Sequence, residues 1–165
     1  MVVTTSGWPP AFILVPFPQH GMYDRILVPT DGSDHSDLAA DHAMTLADQF
    51  GAVVHALFVV EQAGPQGHWD VAVEQQEAHG EAALDEVAAL GESHGVRVER
   101  HLRRGKPSEE IVDAAADYDV DLIVMGTQGL TGFSRIATAG STTERVVRLT
   151  EIPTLVVGGA GPDDA

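Results

Sequence analysis

The amino-acid sequence predicts an α/β fold in which helices cover both faces of a doubly wound, five-stranded parallel sheet. Five short apolar runs alternate with four segments whose apolar residues recur every three or four positions. Strands and helices in alternation form βαβ units, whose strands run parallel. Glycine, proline, serine and aspartate fill the breaks between segments and favour turns there. A chain of 165 residues, 44% of them apolar, has room for one domain with its own core.

The first strand is predicted at the apolar run 26–28, which ends before the turn-forming residues 29–33. A helix follows, because apolar residues then recur at helical spacing and Ser33 or Asp34 is suited to cap its amino end. Gly51 marks the end of this helix.

The second strand is predicted over 53–60, where apolar residues follow one another almost without a break. Such a run is typical of a strand that is covered on both faces. A long helical pattern follows from about 69 to 94, and we expect Gly80 and Gly91 to interrupt it.

The second half of the chain repeats the alternation. A third strand is predicted over 96–102, and Pro107 opens the next helix at a position where proline is tolerated. The fourth strand is predicted at 122–125, a short helix at 142–149 and the fifth strand at 155–157.

The two ends of the chain differ in composition from the middle. Residues 1–21 contain four prolines and no charged side chain, and we interpret them as a loose extension outside a native chain that starts at Met22. The alternative is an arm that docks on a partner. Residues 22–158 are predicted to form one domain, and 159–165 a frayed tail. With no basic residue before Arg25 and no apolar stretch of about 20 residues, we expect neither a signal peptide nor a membrane helix, and a cytoplasmic protein.

The charge of the chain and its lack of cysteine exclude several classes of protein. Its net charge of −16 comes from 25 carboxylates against nine basic side chains, and such a chain repels nucleic acid. Without cysteine, disulfide scaffolds, cysteine–zinc sites and thiol catalysis are excluded. A single lysine, Lys106, among so many acids is typical of halophile proteins, in which strong salt screens the repulsion. The alternative is an ordinary acidic protein.

The segment after the fourth predicted strand has the features of a phosphate site. Glycines recur from Gly126 to Gly140, and Ser141-Thr142 then begins a helix whose first N–H groups attract anions. Residues 122–143 contain no carboxylate, although about three are expected by chance in this acidic chain. The spacing matches neither the P-loop nor the dinucleotide fingerprint. The alternative is a glycine-rich loop before a capped helix.

Other catalytic and metal-binding patterns are absent from the sequence. No HExxH pair or GxSxG elbow is present, and the segment that starts at Asp31 lacks the glycine and glutamate of a calcium loop. We therefore predict no metal site. His42 is expected as a hydrogen-bonded core or boundary residue on the apolar face of the first helix, and His68, His79 and His94 at the surface.

Four separate stretches of the chain together resemble the universal stress protein family. They are DRILVPTDGS at 24–33, GKP at 105–107, DLIVMGTQG at 121–129 and GSTTERVV at 140–147. The resemblance covers about residues 22–158. It implies the strand order 3-2-1-4-5, a dimer and, as in many members, ATP binding by a protein that senses or regulates stress responses.

The resemblance also implies the residues that bind the nucleotide. Gly126, Gly129, Gly140 and Ser141 match the family's glycine pattern, although ten residues rather than nine separate the second and third glycines. The loop and the Ser141 and Thr142 amides would hold the phosphates, Asp31 the ribose or adenine side, and Val59 would line the adenine pocket. The full set is Pro29, Thr30, Asp31, Val59, Met125, Gly126, Gly129, Arg135, Gly140, Ser141 and Thr142.

Mg²⁺ would offset the charge of the triphosphate, and we expect slow hydrolysis at most. The extra loop residue favours one alternative, a nucleotide-free structural or interaction module of the same fold. A second alternative is a doubly wound domain similar to electron-transfer flavoproteins. The last strand, over 154–157, is short, apolar and expected at a sheet edge, so we predict that it pairs with its copy in a homodimer.

Overall fold

A computed structural model of the chain describes residues 21–61, 69–127 and 142–158. Within these ranges, five strands alternate with four helices. They are β1 Arg25–Pro29, α1 Asp34–Phe50, β2 Val53–Glu61, α2 Trp69–His94, β3 Val98–Gly105, α3 Pro107–Asp117, β4 Leu122–Gly126, α4 Thr142–Leu149 and β5 Thr154–Val157. The predictions for residues 1–20, His68 and 159–165 lie outside the described residues.

The described strands form one parallel sheet in the order β3-β2-β1-β4-β5. The predicted fold class and strand order are therefore confirmed. β1 pairs on one side with β2 and on the other with β4, where Ile26 lies opposite Leu122. The chain thus reverses its direction of travel across the sheet between β1 and β4. In doubly wound sheets, a crevice opens at this point beyond the carboxyl ends of the strands.

Helices cover the sheet on both faces, α1 and α2 on one and α3 and α4 on the other. Successive residues of a strand point to opposite faces, so Ile26 and Val28 pack under α1 and α2, whereas Leu27 packs under α3 and α4. All three side chains are fully buried. This two-sided burial explains why the strands are continuous apolar runs.

The ends of α1 follow the predicted signals. The Ser36 N–H donates to the Ser33 hydroxyl oxygen at 3.4 Å, which makes Ser33 the amino-terminal cap. Gly51 closes the helix with φ of 67°, a left-handed conformation that glycine adopts without strain. Pro107 occupies the predicted first turn of α3.

The predicted interruption of α2 is wrong, because the helix continues through Gly80 and Gly91. A Cβ atom on Gly80 would lie 2.5 Å from Cδ1 of Phe58 in β2, and one on Gly91 would overlap the Val98 side chain of β3. These glycines therefore allow close packing of α2 on the sheet. Within the described ranges, no helix, including α2, combines the length and the apolar character needed to cross a bilayer.

The predicted place of His42 on the apolar face is also wrong, although its predicted hydrogen bond is present. Its side chain is exposed on α1, and Nδ1 lies 3.1 Å from the Leu38 carbonyl oxygen one turn earlier. Ala40 and Met44 are buried instead. The buried face of α1 is thus rotated away from the one that includes His42.

Candidate functional site

A cavity of about 170 Å³ lies at the carboxyl ends of β1, β2 and β4, beside the first turns of α1 and α4. Seven of the eleven predicted site residues line it: Pro29, Thr30, Asp31, Val59, Met125, Gly126 and Thr142. The other four, Gly129, Arg135, Gly140 and Ser141, lie outside the described residues. The structure thus brings the ends of three strands and the start of α4 to one place.

Thr30 fixes the turn that leads from β1 to α1. Its N–H donates to the Leu57 carbonyl oxygen of β2 at 2.8 Å, and its hydroxyl oxygen lies 3.1 Å from that of Ser36. The same oxygen accepts a hydrogen bond of 3.2 Å from the N–H of Gly32, whose φ is 77°. Thr30 and Ser36 are each 6% exposed, so this turn is held from inside the protein.

Asp31 presents a carboxylate at the β1 end of the cavity. Burial raises the pKa of Asp31, but hydrogen bonds from Ser33 and Ser36 outweigh it and hold the pKa below the ordinary value of 3.8. One of these bonds runs from the Ser33 N–H to Asp31 Oδ1 at 2.9 Å. The carboxylate is therefore charged at neutral pH and ready to accept hydrogen bonds from a ligand.

The ring of His79 supports Asp31 from α2. A carbonyl oxygen only accepts, so His79 Nε2 donates to the Asp31 carbonyl oxygen, at 2.9 Å. The ring also packs edge-on against Phe58, with 5.7 Å between the centroids. His79 is exposed as predicted, yet it positions the turn that carries Asp31.

Gly126 ends β4 where the strand meets the first turn of α1. A Cβ atom there would overlap the backbone carbonyl of His35, so a side chain at this position would push α1 away. The Thr143 hydroxyl donates to the Gly126 carbonyl oxygen at 3.1 Å, and the Thr127 N–H donates to the Val157 carbonyl oxygen at 2.9 Å. The first contact holds the start of α4 beside the end of β4, and the second joins the end of β4 to β5.

The charges around the cavity are unevenly distributed. Asp31 and Glu61 lie at the β1–β2 end, whereas the lining residues of the β4–α4 end within the described ranges are uncharged. A second cleft of about 450 Å³ shares Glu61 and Thr142 with the cavity and adds Lys106 and Arg145. Together, the two spaces fall within the ~300–1,000 Å³ range of small-molecule sites.

The arrangement can hold a ligand that has an apolar ring, hydroxyl groups and an anionic part. Leu57, Phe58 and Val59 provide an apolar wall, and Asp31 accepts hydrogen bonds. Nδ1 of His35 is buried at the cavity and has no hydrogen-bond partner within the described part of the chain. Such an atom is costly unless something pairs with it, so it fits a polar ligand group.

Several residues at the cavity were not predicted. Notable among them are Phe58, His35 and Thr143, which line it, and His79, which packs beside Phe58. Phe58 is on the opposite face of β2 from Val59, and only the burial of that face under α2 brings it to the cavity wall. For Thr143, the signal was present, because it follows Thr142 in the predicted helix start. For His79, no local signal exists, since its partner is 48 residues away in the sequence.

The comparisons with known proteins agree with the fold. The model of the universal stress protein family matches residues 22–158. Universal stress protein MJ0531 of Methanocaldococcus jannaschii is 40% identical over 141 residues, which span 82% of this chain and 82% of that protein.

Solved structures show the same architecture. A member of the family from Burkholderia pseudomallei is 29% identical and has a TM-score of 0.70, with 82% of this chain and 96% of that chain covered. A universal stress protein in complex with cAMP is 25% identical and has a TM-score of 0.68, with 84% of this chain and 98% of that chain covered. This chain belongs to the universal stress protein family.

Proposed function

We propose that this chain binds an adenine nucleotide in the cavity, with ATP as the leading candidate, and acts in stress responses as a sensor or regulator. The observation that carries the proposal is the convergence of residues from β1, β2, β4 and α4 on one cavity, with a carboxylate at one end and, among the described lining residues, no acid at the other. A relative that is 25% identical was solved in complex with cAMP, which supports the adenine class of ligand.

The charge distribution gives the nucleotide one orientation. The ribose would lie at Asp31, which accepts hydroxyl hydrogen bonds, and adenine against Val59 and Met125. The phosphates would extend past Gly126 toward Thr142 in the first turn of α4, since the amino end of a helix attracts anions. The glycine loop with Gly129, Arg135, Gly140 and Ser141 would complete this end.

Mg²⁺ would be held mainly by phosphate oxygens, with Asp31 and Glu61 as the nearest carboxylates of the cavity. Both acids lie at the end away from the proposed phosphates. The described residues of β4 and α4 that line the cavity include no carboxylate or histidine, and His35 of α1, beside Gly126, is the remaining described candidate for a general base there. We expect binding, with hydrolysis slow at most.

Calorimetry with ATP and Mg²⁺ tests the proposal. Asp31→Asn keeps the shape of the side chain but removes its charge, and it should weaken ATP binding about tenfold, because a hydrogen bond to a charged group contributes about 1.5–3 kcal/mol. Asp37→Asn is the matched control, since Asp37 is exposed in the first turn of α1 and does not line the cavity. Absence of binding heat for any adenine nucleotide would favour the nucleotide-free module instead.

We further propose a homodimer formed through β5. This strand lies at the sheet edge, and Leu155 and Val156 are 38% and 39% exposed, beside the exposed Leu149 at the end of α4. An exposed apolar edge favours pairing with a second copy. Val156→Asp should shift the protein toward monomer in sedimentation experiments, whereas Val71→Asp, on the exposed side of α2, should not. A wild-type protein that remains monomeric at all concentrations would refute the dimer.

A further inference from the structure

Two histidines and a glutamate meet where β2 pairs with the edge strand β3. The parallel register of β2 and β3 places His55 opposite Glu99, and His101 follows two residues later on the same face. His55 is the third residue of β2, whereas the cavity is lined from Leu57 onward. The cluster is therefore separate from the proposed nucleotide site.

The ligand atoms of these three side chains already converge. His55 Nδ1 lies 3.0 Å from His101 Nε2 and 3.6 Å from Glu99 Oε2, and one atom from each residue falls within 4.8 Å of the others. Around a tetrahedral Zn²⁺ with bonds of about 2.0–2.2 Å, neighbouring ligand atoms are about 3.3 Å apart. Two separations are close to this value, and the third, between Glu99 and His101, is within 4.8 Å.

The surroundings hold the three side chains in position. The Tyr118 ring stacks on His101 with 4.0 Å between the centroids and on His55 with 5.4 Å. The Arg97 guanidinium donates to Glu99 Oε1 at 2.9 Å, which leaves Oε2 directed at His55. Outer contacts of this kind orient the ligands of metal sites.

The protonation states also suit a metal. Burial lowers the pKa of both histidines below 6.5, and for His101 the nearby charge of His55 lowers it further. Glu99 acts in the opposite direction on both, whereas Arg25 and Arg97 near His55 and Arg103 near His101 add to the lowering. Neutral imidazole is the form that binds metal.

We propose that His55, Glu99 and His101 bind one divalent transition-metal ion, with Zn²⁺ as the preferred member of the class. Two histidines and a carboxylate are a ligand set that Zn²⁺ accepts, and they leave a fourth position for water. Glu99 is 38% exposed and His55 8%, so an ion can enter from the Glu99 side without opening the core. A bound ion would cross-link the edge strand β3 to β2 through their side chains.

The test is a titration of tag-free, metal-stripped full chain with Zn²⁺, without nucleotide, and with Co²⁺ as a spectroscopic probe. We expect one Zn²⁺ per chain, visible Co²⁺ bands typical of a nitrogen and oxygen site, and a higher melting temperature with Zn²⁺. His101→Gln and Glu99→Gln should each weaken Zn²⁺ binding at least about tenfold. These two positions are chosen because the more buried His55 risks unfolding on substitution.

His42→Gln is the matched control, because His42 is an exposed histidine on α1 and lies far from the cluster. It should bind Zn²⁺ as the wild type does. The proposal is overturned by absence of Zn²⁺ binding, by wild-type affinity in folded Glu99→Gln and His101→Gln, or by an equal loss in His42→Gln. None of these outcomes depends on nucleotide binding, so the two sites are tested independently.

Discussion

Replacing Gly80 by alanine tests whether close packing or helix propensity governs the middle of α2. Propensity alone predicts that Gly80→Ala stabilises the protein by about 1 kcal/mol, because glycine is a poor residue for a helix interior. The structure predicts the opposite. The new Cβ atom would lie 2.5 Å from Cδ1 of Phe58 and 2.9 Å from two further ring atoms, whereas ordinary contacts begin at 3.4 Å.

The magnitude follows from what the Phe58 ring can do. It is 6% exposed and packs edge-on against His79, so it cannot turn into solvent. Relief of the contact needs a shift of about 1 Å in a packed core, and overpacking of this kind costs about 1–3 kcal/mol. After the gain in propensity is subtracted, we expect Gly80→Ala to lower the free energy of unfolding by about 1 kcal/mol.

Urea unfolding followed by circular dichroism measures this difference. Ala78→Gly is the control, because Ala78 is exposed in the same helix and should lose about 1 kcal/mol through propensity alone. Since Phe58 lines the cavity, Gly80→Ala should also weaken ATP binding, and Ala78→Gly should not. In a Phe58→Leu background, the cost of Gly80→Ala should shrink. A Gly80→Ala protein that is more stable than wild type would refute the reasoning.

Three further predictions concern the site and the charge. Gly126→Ala should lower the free energy of unfolding by about 1–3 kcal/mol in urea titrations, because its Cβ would overlap the His35 backbone, whereas Gly158→Ala, with 3.8 Å of space, should stay within about 0.5 kcal/mol of wild type. Because the pKa of Asp31 is lowered in the folded state, its carboxylate stabilises the folded protein above pH 3.8. This stabilisation is lost as the pH falls through the folded-state pKa. Stability differences between wild type and Asp31→Asn should thus be constant near neutrality and shrink in acid, and a difference that grows in acid would contradict the hydrogen bonds from Ser33. If the acidic composition is a halophilic one, raising KCl from about 0.1 M to about 2 M should raise the melting temperature by screening the net charge of −16, and a lower melting temperature would contradict it.

The elements of the fold were predictable because each is encoded locally. Ser33 and Gly51 bound α1 through their own backbone preferences, and the continuous apolar run of β2 reflects helices on both faces of the sheet. The resemblance to the family supplied the strand order, which no local pattern contains. Boundaries shifted by up to three residues, as in β3, which spans Val98–Gly105 rather than 96–102.

The wrong predictions share one physical cause. Gly80 and Gly91 were interpreted by their weak helix propensity, but what decides their role is the Phe58 ring and the Val98 side chain on the strands beneath them. His42 satisfies the spacing of the apolar face, yet the helix is rotated so that Met44 is buried in its place. Contacts between elements that are distant in the sequence override the local preference in each case.

The same limitation explains why sequence spacing did not indicate the metal site that we propose. Standard metal signatures place ligands a few residues apart, whereas His55 and His101 are 46 residues apart and meet only through the register of two strands. The alternation of side chains along β2 also decides which of its residues can serve the two proposed sites. His55 and Val59 point to the same face, and four residues along a strand span about 13 Å. One strand thus contributes His55 to the proposed metal cluster and, from Leu57 onward, side chains to the proposed nucleotide cavity. None of the three residues of the proposed cluster lines the cavity, so each site is expected to bind its ligand without direct contact with the other.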